Sequence, residues 1–219
     1  MSHDVPVDAA RPDAKPARAT TRLGTTLSRR AALDAATRVY LANQTLDMST
    51  LADELGVGRS TLYRWVGNRE DLLGAVLAEA TVRTFRKVAR STRGKRGYDR
   101  VLDVCERFMH AIVDAPPLQA LTKREPLLFL RVALMPGQVE AASSQMITEL
   151  LEAEEAAGHL TLPLPPAVLG LAIVRLCDAH LYAHLLGNDK PEIGTALQLV
   201  AALLSSSRSA ARAGADDQA

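Results

Sequence analysis

The sequence predicts an all-α protein in two unequal parts, a short three-helix unit followed by a larger helical half. Three observations lead there. No segment alternates convincingly as a strand, and the 47% hydrophobic content includes only 4% aromatics, the composition of an Ala/Leu/Val-built helical core. Helix-capping residues, glycines and proline pairs recur at intervals that suit helices of about 8–20 residues. The stretch Ser49–Leu73, STLADELGVGRSTLYRWVGNREDLL, reads as two short helices around a tight glycine turn running into a third, long one.

Taken in order, residues 1–23 mix Pro, Ala, Asp and Arg without apolar period and read as a disordered arm. Its Arg11, Lys15, Arg18 and Arg22 suit either a solvated tail or a brush against nucleic-acid backbone. Residues 24–70 form the helix-turn-helix unit. Ser28 is expected to cap a first helix from Arg29 to Ala42, which Asn43 ends from the left-handed region. Asp47 caps a second over Met48–Leu55, and Gly56 supplies the turn. The third spans Arg59–Val66, and Asn68 caps a long helix over Arg69–Ala89, with Glu70 and Asp71 favouring its N-terminal dipole.

Residues 71–207 continue as helices over 98–114, 117–123, 126–134, 138–157, 167–186 and 191–206, punctuated by Pro116-Pro117, Pro126, Pro136-Gly137, Gly158 and the LTLPLPP linker. Residues 208–219 are expected to be a flexible tail. No run of apolar residues is long enough for a membrane span, and no signal-peptide pattern opens the chain, so a cytoplasmic location without membrane association is expected. Cys105 and Cys177 are then small buried hydrophobes rather than a disulfide.

The net charge of +1 conceals an asymmetry. Residues 1–107 carry 19 Lys/Arg against 13 Asp/Glu, and residues 108–219 carry 7 against 12. A basic front half suits phosphate. Within it, Arg59, Ser60, Thr61, Tyr63 and Arg64 fill the first turns of the helix that would enter a DNA major groove. Arginine can pair with guanine O6 and N7, while hydroxyls and arginines on phosphate set register. Val57, Leu62 and Trp65 read as core.

The run Arg29–Leu77 resembles the N-terminal domain of the TetR family of bacterial regulators. The resemblance lies in Leu51-Ala52, Gly56-Val57, Thr61-Leu62-Tyr63, the aromatic-led Trp65-Val66 and Arg69-Glu70-Asp71-Leu72-Leu73. Three positions depart from the pattern. Gly58 stands where a serine-like cap is usual, Trp65-Val66 where a Tyr-Phe pair is common, and Asn43 near a missing glycine after the first helix. Leu62–Gly67 is also similar to a subgroup that includes regulators of quorum-signal and γ-lactone degradation. The resemblance implies that Tyr63 and Arg69 hold phosphates, that Thr61 touches phosphate or a base edge, and that Arg59 and Arg64 read bases. It further implies a homodimer formed through the last two helices on a palindromic double-stranded DNA operator. A small-molecule effector would bind the larger half, without a metal or other cofactor.

Candidates to line an effector cavity are Phe108, Met109, Ile112, Phe129, Met135, Met146 and Ile147, although plain core packing is the commoner role for any one of them. Arg131, Arg175, Asp178 and Tyr182 interrupt apolar runs. Arg175 and Asp178, three apart, either pair with each other or face a cavity. His180 and His184 have metal-compatible spacing but no evident third ligand, so interface histidines are expected. The chain lacks the G-x-S-x-G, Walker, Cys-His and H-E-x-x-H patterns, which argues against an enzyme. A DNA binder without sequence preference or effector is the other alternative.

Overall fold

The computed structural model describes residues 18–92 and 94–216, with side chains over 28–92 and 94–205. The described residues fold entirely as helix: α1 (Arg18–Leu41), α2 (Met48–Glu54), α3 (Arg59–Val66), α4 (Arg69–Ser91), α5 (Gly97–Val113), α6 (Pro116–Arg124), α7 (Pro126–Leu134), α8 (Gln138–Ala156), α9 (Pro166–Leu181), a 3-10 turn (Ala183–Leu186) and α10 (Ile193–Asp216).

The caps act as their residue types dictate. Asp47 accepts from the backbone N–H of Ser49 and Thr50 at 3.0 and 2.8 Å, fixing the start of α2. Asn68 and Asp71 form a reciprocal capping box at the start of α4, each side chain accepting from the other's backbone N–H. Asn43 ends α1 at φ 58° and Gly56 makes the α2–α3 turn at φ 65°, left-handed conformations that asparagine tolerates and glycine adopts freely.

Two termini differ from expectation. Helix α1 begins at Arg18, so Ser28 lies inside the helix and is not its cap; residues 18–23, expected in the arm, are helical. The arm's last proline is Pro16, and beyond it the nucleated helix extends through Gly24 and four threonines despite their poor propensity. Residues 1–17 lie outside the described residues. At the other end α10 runs to Asp216 through the Ala-rich segment expected to be a flexible tail, for the same reason. The segment 167–186, expected as one helix, stops at Leu181 and continues as the 3-10 turn closed by Gly187 at φ 116°.

Apolar packing does not divide at residue 70. One buried cluster runs from Ala32 and Ala36 of α1 through Leu51 of α2 and Leu62 of α3, along Leu72, Leu73 and Val76 of α4, to Leu121, Phe129, Leu181 and Tyr182. A second joins the far half of α4 (Phe85, Val88) to α5, α8, α9 and α10. Helix α4, about 35 Å long at 1.5 Å per residue, belongs to both. Helices α8 and α9 approach closely because α9 carries Gly170, where a Cβ would fall 2.3 Å from Thr148 Oγ1. The outward faces of α9 and α10 keep Val168, Ala172 and Ala179, and Leu199 and Ala202, only partly covered or exposed within one chain.

Candidate nucleic-acid interface and effector cavity

Helix α3 sorts its eight residues cleanly. Leu62 and Val66, one turn apart, are buried against α1 and α2. Arg59, Ser60, Tyr63 and Arg64 are exposed on the opposite face, Tyr63 by 46%, and Thr61 and Trp65 are half-buried at the margin. Arg59 Nη1 donates to Ser49 Oγ at 3.3 Å, tying the first turn of α3 to α2. The result is a short helix braced on its apolar side, with two cations and three hydroxyls together on and beside its free side.

Arg69 makes contacts within the protein that the sequence does not suggest. Its Nε donates to the Leu46 carbonyl at 2.6 Å, and Nη1 and Nη2 pair with the two carboxylate oxygens of Glu125, each at 2.7 Å. All three guanidinium nitrogens are thus engaged within the protein, at the junction of α4 with the α6–α7 corner. The bidentate bond from Arg69 holds the Glu125 carboxyl below its usual range, outweighing its partial burial. Beside it Arg124 donates to the carbonyls of Asn43 and Gln44 at 3.0 and 3.1 Å. Arg131, expected near a cavity, is 63% exposed and pairs with Glu70 at 2.6 Å. Gln138 Nε2 donates to the Asp71 carbonyl at 2.9 Å. Four side chains from α6, its corner with α7, α7 and α8 therefore clasp the first turn of α4 and the loop before α2.

An inner cavity of about 50 Å³ lies among α4, α5, α7, α8 and α9. Phe108, Met109, Ile112, Ile147, Asp178 and Tyr182, expected there from sequence, do line it. Phe129 instead walls an adjoining cavity of about 60 Å³, stacked edge-on against Tyr182 at 5.0 Å. The two cavities share Thr81, Ile112, Ala133, Val139 and Tyr182, and the second reaches Tyr40 of α1. Met146 faces a separate groove between α4 and α8, and Met135 is largely exposed. Arg175 is 58% exposed and pairs with Glu140 at 2.7 Å, so the expected Arg175–Asp178 pair does not form. The reason is helical phase: Arg175 leans to the outside of α9 while Asp178 faces inward.

The lining also includes residues missing from the sequence expectation, among them Thr81 and Phe85 of α4, Ser143 of α8, and the two cysteines. Cys105 and Cys177 are free thiols, and the neighbouring Cys177 thiol together with burial pushes Cys105 well up. Burial raises Asp178 to about 7, with Glu140 adding repulsion. Burial also raises Tyr40, to about 12. His180 Nδ1 donates to Glu192 Oε2 at 2.8 Å, while His184 falls in the 3-10 turn and donates to the Leu181 carbonyl, so the helical spacing suggested for this pair is lost. No helix of the described residues is long and apolar enough to cross a membrane.

An all-helical chain with a braced reading helix at one end and an apolar cavity in the larger half defines a DNA-binding regulator class, and the comparisons specify it. A family model described as the C-terminal domain of tetracycline repressor-like proteins matches residues 96–205. The R. erythropolis transcriptional repressor QsdR, from the TetR family, is 54% identical, with 83% of this chain and 96% of that chain covered and a TM-score of 0.81. The TetR-family repressor AlkX from a Dietzia strain, implicated in n-alkane biodegradation, shares the fold at 18% identity, covering 81% and 95% with a TM-score of 0.56. No curated protein matches. This chain belongs to the TetR family of transcriptional regulators.

Proposed function

We propose that the protein is a homodimeric repressor that binds a palindromic operator through α3 and is released by a small amphiphilic metabolite, a γ-lactone or other acyl-chain signal. The observation that carries the reading is the division of α3, with Leu62 and Val66 buried and Arg59, Ser60, Tyr63 and Arg64 presented outward beside Thr61. Arg59 and Arg64 read base edges; Ser60, Thr61 and Tyr63 fix register on phosphate. Arg69 anchors the reading unit through three of its five N–H donors, to Leu46 and Glu125, and its remaining two are left to hold phosphate. The similarity to a transcriptional repressor at 54% identity supports the sign of regulation.

One α3 reads half a site, and the partly uncovered apolar faces of α9 and α10 supply the two-fold contact that doubles it. The inner cavity is small and mostly apolar, so an effector must widen it. Widening displaces the walls that α4 and α7 contribute, and the clasp around Arg69 and Glu125 passes that displacement to the reading unit. Such a switch works only to the extent that the effector binds the widened state better.

Selection of DNA from a random pool by the full-length protein tests the reading. A palindromic site with two similar half-sites, bound by two chains, is the expected result. A pool that never enriches a common sequence would favour a sequence-tolerant DNA binder and overturn the repressor reading.

A further inference from the structure

Asp178 is the one acid that lines the inner cavity, and among the described residues nothing neutralises it. Its carboxyl has no hydrogen-bond or ion-pair partner among the described residues; Arg175, one turn away, is engaged by Glu140 on the outside of α9. The neighbouring elements bring no cation to it. Helix α8 contributes Glu140 and Ser143, α5 contributes Cys105, α4 contributes Thr81 and Phe85, and α9 itself adds Cys177 and Tyr182, with Tyr40 of α1 beyond. The remaining walls are hydrocarbon, such as Met109 and Ile173.

An unpaired carboxyl in an apolar site favours its protonated form, which donates a hydrogen bond, and it repels any anion brought beside it. Tyr182, whose hydroxyl burial also holds in the neutral form, is a second donor on the same wall. We infer that the cavity selects an uncharged ligand whose carbonyl oxygen accepts from Asp178 while its hydrocarbon part lies along Phe108, Met109 and Ile147, and that it rejects the corresponding free acid. The inference rests on the effector-responsive reading and narrows it: the charge of the effector is set by Asp178. An elongated ligand gains room by displacing Tyr182 and Ile112, the shared wall between the inner cavity and the one that reaches Tyr40.

The test is calorimetric titration of the full-length protein with γ-decalactone, decanoate and decylammonium, at about pH 6 and about pH 8, for wild type and Asp178→Asn. With Asp178 titrating at about 7, the competent protonated fraction falls about tenfold between those values, so lactone affinity should fall about tenfold as well. In Asp178→Asn the amide donates at both values, so the lactone still binds and the pH dependence disappears; this variant also controls for histidines elsewhere. Decanoate should bind at least about tenfold more weakly than the lactone. Because Asn removes an unpaired, partly buried acid, the variant should melt no lower than wild type at about pH 8, which shows that it is folded. Preference for decylammonium, lost in Asp178→Asn, would overturn the inference in favour of an ionised carboxylate that recognises a cation. Equal or better binding of decanoate, or no binding of the lactone, overturns it too. Operator binding by the ligand-free protein is measured separately, so failure of the ligand class leaves the DNA-binding reading standing or falling on its own result.

Discussion

Glu154 shows how much a single buried acid can organise. It is 2% exposed near the end of α8, yet it accepts from the Gly97 N–H at 2.5 Å, from Arg100 Nη1, and from His159 Nδ1 at 3.2 Å. Burial alone would raise its carboxyl, but the Gly97 and Arg100 bonds outweigh that and hold it low. Glu154→Ala leaves Arg100 and the first N–H of α5 unpaired and should cost about 3–5 kcal/mol, read as a lowered denaturation midpoint. A loss below about 1 kcal/mol would show that water replaces these bonds. In sequence Glu154 is one of four acids near the end of α8, and its partners at 97 and 100 lie more than fifty positions away, so no local pattern singles it out. Asp178 was more legible, because an acid inside LGLAIVRLCDAHLY must either find a partner or face a cavity. Which of the two holds depended on the phase of α9, and that is set by packing against α8 at Gly170.

Among elements, the reading unit was the most legible and the clasp the least. Caps at Asp47 and Asn68, the turn at Gly56 and the two buried residues of α3 are all written within a few positions of where they act. Arg69 sits in the same stretch, but its partner Glu125 is 56 positions away, so no local pattern pointed to this pair. The start of α1 was missed because helix propagation needs no apolar period once the packed half of the helix has formed. The Arg69–Glu125 pair carries a prediction of its own. Its carboxylate is held below the ordinary range, so the stability it contributes is present above pH 4–5, roughly the unfolded value, and disappears as pH falls through the lowered one. Glu125→Gln should therefore lower stability by about 1 kcal/mol at neutral pH, given the partial exposure of the pair, with the gap to wild type closing in acid. The same variant should weaken effector-induced release of operator DNA more than it weakens operator binding itself. Release at the wild-type effector concentration would remove the clasp from the route between cavity and α3.

For the whole molecule, one continuous apolar cluster joins α1–α3 to α6, α7 and the end of α9, and this makes a regulator out of two parts that sequence texture separates near residue 70. Composition shows a basic front and an acidic, apolar back, but not that Leu72, Leu73 and Val76 belong to a core shared with Phe129 and Tyr182. That shared core connects the walls of the cavity bounded by Tyr182 with α1, whose Tyr40 lines the neighbouring cavity. All of this matters only if the exposed face of α3 reads DNA. The most direct measurement is fluorescence anisotropy of Arg64→Ala and Tyr63→Phe on the DNA site selected by the wild type, with dimer state and melting checked in parallel. Arg64→Ala should lose about 1–3 kcal/mol, roughly 5–150-fold in affinity, and relax base preference at one position per half-site. Tyr63→Phe should weaken binding with preference unchanged, both variants remaining folded. Wild-type affinity in both would contradict the account.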